Sequence, residues 1–357
     1  MKQKFHTGIA LWVLLMTAAC SEKQSVMTVD VLDDGQYVIF ESGAPVLQYN
    51  YRTVYEQHVV RPESQKNVKI EYYPIDGIYV DEYYKSNPGV DQTGKATSAI
   101  WAIPRSDYIH PLYGLNGELL TNDWPDADHP HHRGIFFGWP EVEYGAKRGD
   151  LYALQRVFAR PTGNIKCVNG RDFAEITAEN IWMWEEKEAI VHEMMTIRAY
   201  RASFGERIID ISLTLQALTD SITIATRFTN SYGGLNVRMA TPQNQIISSY
   251  SDQIAATPQR SWADFNGIFE GNTDLSGMTI LQHKDNPEYP GAWVEYPELS
   301  WIQPTFPSPN TRYLLNKKEP LVLRYRLIVH QGAKPEDGVL SKQWDNYHSN
   351  EKINKLK

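Results

Sequence analysis

Apolar and polar residues alternate with a period of two along much of this chain. Ile209, Ile211, Leu213 and Leu215 interleave with Asp210, Ser212, Thr214 and Gln216. That pattern predicts a strand with one buried face and one face that is wet or lines a cleft. Leu321, Leu323, Tyr325, Leu327 and Val329 repeat it beside Arg324, Arg326 and His330. Shorter β patterns cover 37–40, 45–51, 222–228, 233–239 and 278–283. Turn residues separate them: Asn169-Gly170, the pair favoured in type I′ hairpins, then Thr219-Asp220-Ser221 and Lys284-Asp285-Asn286-Pro287. Residues 248–275 read as a polar excursion, a lid or a hairpin, and 55–97 as loop structure anchored by tyrosines. Pro335 and Glu336 start a short helix carrying Leu340 and Trp344. More than ten strands with almost no helix predict an all-β protein, a large antiparallel two-sheet sandwich with a short C-terminal helix. No linker divides the strands, so residues 28–347 are expected to be one domain and 348–357 a tail.

The first residues change the picture from a plain β domain to an exported one. Lys2 and Lys4 precede a short apolar core, Ile9 to Met16, and Thr17-Ala18-Ala19-Cys20 follows. This is the form of a signal peptide (1–20) with a lipoprotein-like cleavage site, Cys20 being the lipidated residue and 21–27 a tether. The expected location is the periplasm or the outer membrane, with contact to the membrane only through the lipid. No later stretch is long and apolar enough to predict a spanning helix. Cys167 is the only other cysteine, so no internal disulfide is expected, and it reads as a small buried hydrophobe on a strand. A formal net charge of −8 without any basic run argues against nucleic acid as a partner. The 10 Trp and 21 Tyr fit a large β core, with aromatic platforms for sugar rings as the sharper reading.

Candidate chemistry concentrates in one stretch. Asp126-Ala127-Asp128-His129-Pro130-His131-His132-Arg133-Gly134 runs directly into Ile135-Phe136-Phe137-Gly138-Trp139. The surrounding proline, glycine and aspartate place these histidines on a loop or a strand end. Imidazoles beside carboxylates exchange protons near neutrality, and an arginine steadies an anion. His129, His131, His132 and Arg133 are therefore the candidate catalytic residues. Asp128, Arg105, His110, Tyr113, Trp139 and Glu141 are candidates for substrate binding. So are the more distant His283, Asn286, Trp293 and Trp301, with His110 and His283 expected to converge on the cluster. His129 and His131, completed by Asp128, His283 or His330, would alternatively hold Zn or Cu. Acid–base work without a cofactor is preferred to that. The bland alternative is a structural loop, with Arg133 paired to Asp126 or Asp128.

The run Tyr108-Ile109-His110-Pro111-Leu112-Tyr113, followed by Asp128-His129-Pro130-His131-His132-Arg133-Gly134-Ile135-Phe136, resembles the signature of the PmoA-like bacterial family of unknown function, often labelled "methane oxygenase PmoA". Pro45 to Tyr49, Gly233 to Arg238, Asp285-Asn286-Pro287 and Leu323 to Arg326 add weaker matches. The resemblance implies an exported protein, often a lipoprotein, with a galactose-mutarotase-like supersandwich that binds sugars. The expected function is an exported carbohydrate-active hydrolase, lyase or epimerase acting on an oligosaccharide. The alternatives are a non-catalytic glycan-binding lipoprotein and a metal-dependent oxidoreductase.

Overall fold

The alternating segments fold as strands, and the strands pack as two eight-stranded sheets with a third, four-stranded sheet beside them. The computed structural model describes residues 26–55, 58–65, 103–124, 129, 131–251 and 260–354, with side chains to 349. β1 (Met27–Val31), β2 (Tyr37–Glu41) and β3 (Ala44–Asn50) make an antiparallel meander that β4 (Tyr108–Leu112) and β5 (Ile135–Gly138) extend. β6 (Glu141–Tyr144) and β7 (Lys147–Gly149) turn away into the small sheet. Four long strands follow in a second meander: β8 (Val157–Val168), β9 (Phe173–Trp184), β10 (Glu188–Tyr200) and β11 (Glu206–Ala217). β12 (Ile222–Ala225) joins the small sheet, and β13 (Gly234–Arg238) pairs with β5 in the first. β14 (Gln243–Ser251), β15 (Ser261–Ile268) and β16 (Ser276–Gln282) widen the second sheet. β17 (Trp293–Tyr296) and β18 (Trp301–Pro304) complete the first sheet, and β19 (Tyr313–Leu314) edges the small one. β20 (Leu321–Gln331) lies between β16 and β11, and α1 (Asp337–Asn354) ends the chain. Among the described residues no helix is long and apolar enough to cross a membrane.

The two large sheets use their faces differently. In β9, β10 and β11 buried and half-buried positions alternate, so one face enters the core and the other stays partly open. Ile209, Ile211, Leu213 and Leu215 meet Leu321, Leu323, Tyr325 and Leu327 in that core. Burying each such side chain contributes about 1.5–3 kcal/mol. In β4, β5, β13 and β18 every residue is buried, because both faces of the first sheet are covered at its centre. Ile109, Ile135, Phe137, Leu235, Val237 and Ile302 point into the main core. Tyr108, Phe136 and Trp301 point the other way, into a second cluster roofed by Tyr152 and Ala153. That covered outer face carries the histidine segment.

Of the two readings of residues 248–275 the hairpin holds: β14 and β15 pair there in the second sheet, although 252–259 lie outside the described residues. Three local expectations need correction. Asn169-Gly170 does sit between β8 and β9, but neither residue has the positive φ of a type I′ turn. Instead Asn169 Oδ1 accepts from the Val29 amide at 2.8 Å, and Gly170 exchanges backbone hydrogen bonds with Met27, docking β1. Cys167 is on a strand but exposed, because β8 runs out past the core at that end. The helix continues past residue 347 to Asn354, so the expected tail is largely helical. Leu340 and Trp344 anchor it on Trp262, Leu281 and Ile328. The signal segment, Cys20 and most of 55–97 lie outside the described residues.

Candidate functional site

The histidine segment is fixed at its ends by backbone pairing rather than by a helix. His132 N donates to the His129 carbonyl at 3.0 Å, closing a turn just before β5. Trp124 N donates to the His132 carbonyl, Gly134 N to the Asn122 carbonyl, and Arg238 N to the Gly134 carbonyl. Three segments are thereby zipped together: 121–124, 132–134 and the end of β13. Gly134 has φ +56°, and a Cβ there would stand 2.3 Å from the Ile109 carbonyl oxygen. Gly134→Ala is therefore expected to cost about 1–3 kcal/mol, read as a lower urea midpoint, through strain and overpacking together.

This turn brings three imidazoles together. The His129 and His132 ring centres are 4.8 Å apart, His131 and His132 4.7 Å, and His129 and His131 5.8 Å. His132 is buried against Trp301, with ring centres 4.4 Å apart, and Arg238 Nη1 donates to its Nδ1 at 3.2 Å. His131 is half-buried and faces Tyr152 at 5.6 Å. Burial holds the His131 imidazole well below its usual value, helped by His129 and by the charges of Arg227, Arg105 and Arg238. Burial likewise depresses His132, with His131, Arg238 and His129 adding to it. Both rings are neutral at pH 7 and carry no charge into the cluster.

Arg133 does not point freely at a ligand. It is fully buried, its Nε pairs with Asp123, and its Nη2 donates to the Tyr108 hydroxyl at 2.7 Å. Its guanidinium lies over the Tyr108 and Trp124 rings, and the Tyr108 hydroxyl donates to Asp123 at 2.8 Å. The expected partner was Asp126 or Asp128, which lie outside the described residues; the observed one is Asp123. Arg105, also buried, donates from Nη1 to the Tyr152 carbonyl at 2.7 Å and from Nη2 to those of Leu151 and Phe137. Arg105, Arg133, His131, Tyr152 and Leu154 line one narrow cleft.

The other candidates separate into near and far. Trp301 joins the cluster through His132. His110 is on the same sheet face, but its ring nitrogens go to Thr121 Oγ1 at 2.9 Å and the Val60 carbonyl at 2.6 Å. The carbonyl requires Nε2 to donate, so Nδ1 accepts, and burial keeps the ring neutral. Tyr113, half-buried past the end of β4, bridges Leu119. Trp139 is no platform: it is fully buried between Phe137 and Trp182, donating to the Phe306 carbonyl at 2.8 Å. Glu141 is consumed by Arg148, Arg312 and the Phe228 amide.

His283 does not converge with His110. It packs against His348 and, edge-on, Tyr347 of α1, at the end of a strand of the second sheet. His348 is buried there and accepts from the Lys284 amide. Asn286 exchanges hydrogen bonds with the Arg324 backbone, and Trp293 donates to Ser261 Oγ at 2.9 Å. Among the described residues no group of three His, Cys, Asp or Glu side chains is placed to hold a metal ion. Sequence reasoning passed over Asp123, Tyr152, Arg227 and Arg238. Arg227 donates to Asp150 at 2.7 Å and to the Tyr232 hydroxyl. The clue to Arg238 was its place at the end of the 233–239 strand pattern.

Fold and site together define an all-β sandwich protein with a buried histidine–arginine cluster on the covered face of one sheet. The chain belongs to a family of unknown function, DUF6807, whose profile matches residues 98–345, from just before β4 into α1. No curated protein and no solved structure matches it.

Proposed function

We propose that this chain is an exported, PmoA-like carbohydrate-active enzyme in which His131 is the general base. The observation that carries this reading is a half-buried imidazole, held neutral by burial and neighbouring arginines, at the wall of a cleft. A neutral imidazole has its lone pair free at pH 7, the form a general base needs before it takes a proton. His132 sits behind it and, fixed between Trp301 and Arg238, positions it. Of the three reaction types, this set favours a lyase or epimerase over a hydrolase. Glycoside hydrolysis ordinarily uses two carboxyl groups flanking the bond. Here, among the described residues, the nearby Asp123 and Asp150 are committed to Arg133 and Arg227.

The test is turnover of an oligosaccharide panel by the purified protein and by His131→Ala. The variant is expected to lose about 10²–10⁴-fold in kcat. Its unfolding midpoint should move little, since His131 is only half-buried. His132→Ala, by contrast, should lose stability as well as activity. Full turnover by His131→Ala would end the proposal.

A further inference from the structure

We propose that the cleft beside His131 binds an oxyanion, and specifically the carboxylate of an acidic sugar. Only the sugar part rests on the function proposed above. The primary observation is a pair of buried guanidinium groups with donors to spare in the same place. Arg105 is 3% exposed, and its hydrogen bonds go to neutral carbonyls of Tyr152, Leu151 and Phe137, none of them a carboxylate. Its Nε is buried without an acceptor. Arg133 spends Nε and Nη2 on Asp123 and Tyr108, and its Nη1 is likewise buried without an acceptor. Both residues line the cleft.

Buried charges in proteins are normally paired, and buried donors normally find acceptors. Asp123 neutralises Arg133, and Asp150 neutralises Arg227. Arg105 has no carboxylate hydrogen-bonded to it; the charges of Asp107 and Asp150 steady it only through space, so its guanidinium keeps a donor for an anion. A guanidinium fork recognises planar oxyanions by paired hydrogen bonds. The narrowness of the cleft selects among them. As described, it admits no water molecule, so the wall of Tyr152, Ala153 and Leu154 must give for any ligand. A flat carboxylate needs less opening than a tetrahedral sulfate or phosphate.

The arrangement also has a chemical use. If the carbon bearing the carboxylate loses its proton to the His131 imidazole, the C–H electron pair moves onto the carboxylate as an enediolate. The added negative charge then falls beside Arg105 and Arg133. Returning a proton to the other face of that carbon gives an epimer. Expelling an oxygen substituent one carbon further on, with a proton to the departing oxygen, gives an unsaturated product.

Binding of D-glucuronate and D-galacturonate to the full chain, against D-glucose, D-galactose and inorganic sulfate, tests this by calorimetry at low salt. Imidazole resonances followed with pH give a second readout on the unaltered protein. The uronates should bind about tenfold or more tightly than their neutral counterparts and weaken with added salt. A bound carboxylate should raise the pH at which His131 titrates, while neutral sugars leave it unchanged. Arg105→Lys should lose about tenfold in uronate affinity; the histidine readout remains decisive if that variant does not fold. Neutral sugars binding as tightly as uronates would overturn the inference and leave the carbohydrate reading standing. Sulfate binding without uronate binding would overturn the carboxylate assignment, as would no binding at all. Tight uronate binding with full turnover by His131→Ala would keep the anion site and remove the proposed base.

Discussion

Asp123→Asn is expected to destabilise the folded chain by about 3–5 kcal/mol, the usual cost of removing one partner from a buried ion pair. The Asp123 and Arg133 side chains are each about 1% exposed, so water cannot replace the lost charge. Asp123 also accepts from the Tyr108 hydroxyl, which in turn accepts from Arg133 Nη2. The substitution thus leaves a guanidinium sandwiched between the Tyr108 and Trp124 rings with no counter-charge. The damage should spread, because Asp123 and Arg133 bridge the backbone that holds the histidine turn. In urea unfolding the midpoint should drop with the slope unchanged. The double variant Asp123→Leu, Arg133→Met separates charge from packing: it should recover most of the loss, since two apolar residues leave nothing unpaired. A single variant within about 1 kcal/mol of the parent would mean that the pair is not what holds this face together.

This pair also shows where the sequence was legible and where it was not. The long strands could be read directly: Ile209 to Leu215 alternate because that strand faces one core, and Leu321 to Val329 keep the alternation although α1 also buries Ile328 on the other face. Clustering of His129, His131 and His132 was legible too, since three imidazoles within four residues can hardly avoid one another. The partners were not. A two-sided strand such as β5 or β13 has no period to read, because the loops over its outer face bury every position. Arg133, Trp139 and Glu141 looked available because polar and aromatic residues near a motif invite a ligand. The folded chain instead uses Trp139 as core and spends Glu141 on Arg148 and Arg312. Trp182, packed against Trp139, is fully buried as well. Long-range pairings such as His283 with His348 depend on where α1 docks, and no local spacing encodes that.

Stability should peak near pH 6.5 and fall on both sides, for different reasons. On the acid side His110, His131 and His132 are held below their usual range by burial, and burial first pushes His348 to about 4 and His283 to about 3. An unfolded histidine protonates near 6.5. Below that pH the unfolded chain takes up protons that the folded chain refuses. The stability contributed by each ring, complete above 6.5, is lost as pH falls toward its folded value. The slope is up to about 1.4 kcal/mol per pH unit for each ring.

On the alkaline side the controlling group is Glu193, buried between the sheets with Trp182 donating to it at 2.6 Å and Asn180 at 3.0 Å. Burial, then the charge of Asp107, raises its carboxyl well above the ordinary range. A raised carboxyl has the opposite sign. Its stabilisation is complete below about 4.3 and is lost as pH rises through the folded value, at about 1.4 kcal/mol per unit. Below 6.5 the five histidines outweigh it; Asp150, whose carboxyl burial also raises, adds a loss of the same sign. Glu193→Gln removes the titration while keeping the shape. It gives up one of the two accepted hydrogen bonds, so its stability at pH 5 should sit about 1 kcal/mol below the parent. Its profile from pH 6.5 to 8.5 should nevertheless decline less steeply than the parent's, so the two curves should converge. Urea unfolding at half-unit steps decides between the possibilities, since a parent curve that stays level to pH 8.5, or a variant that declines in parallel, would remove Glu193 as the cause.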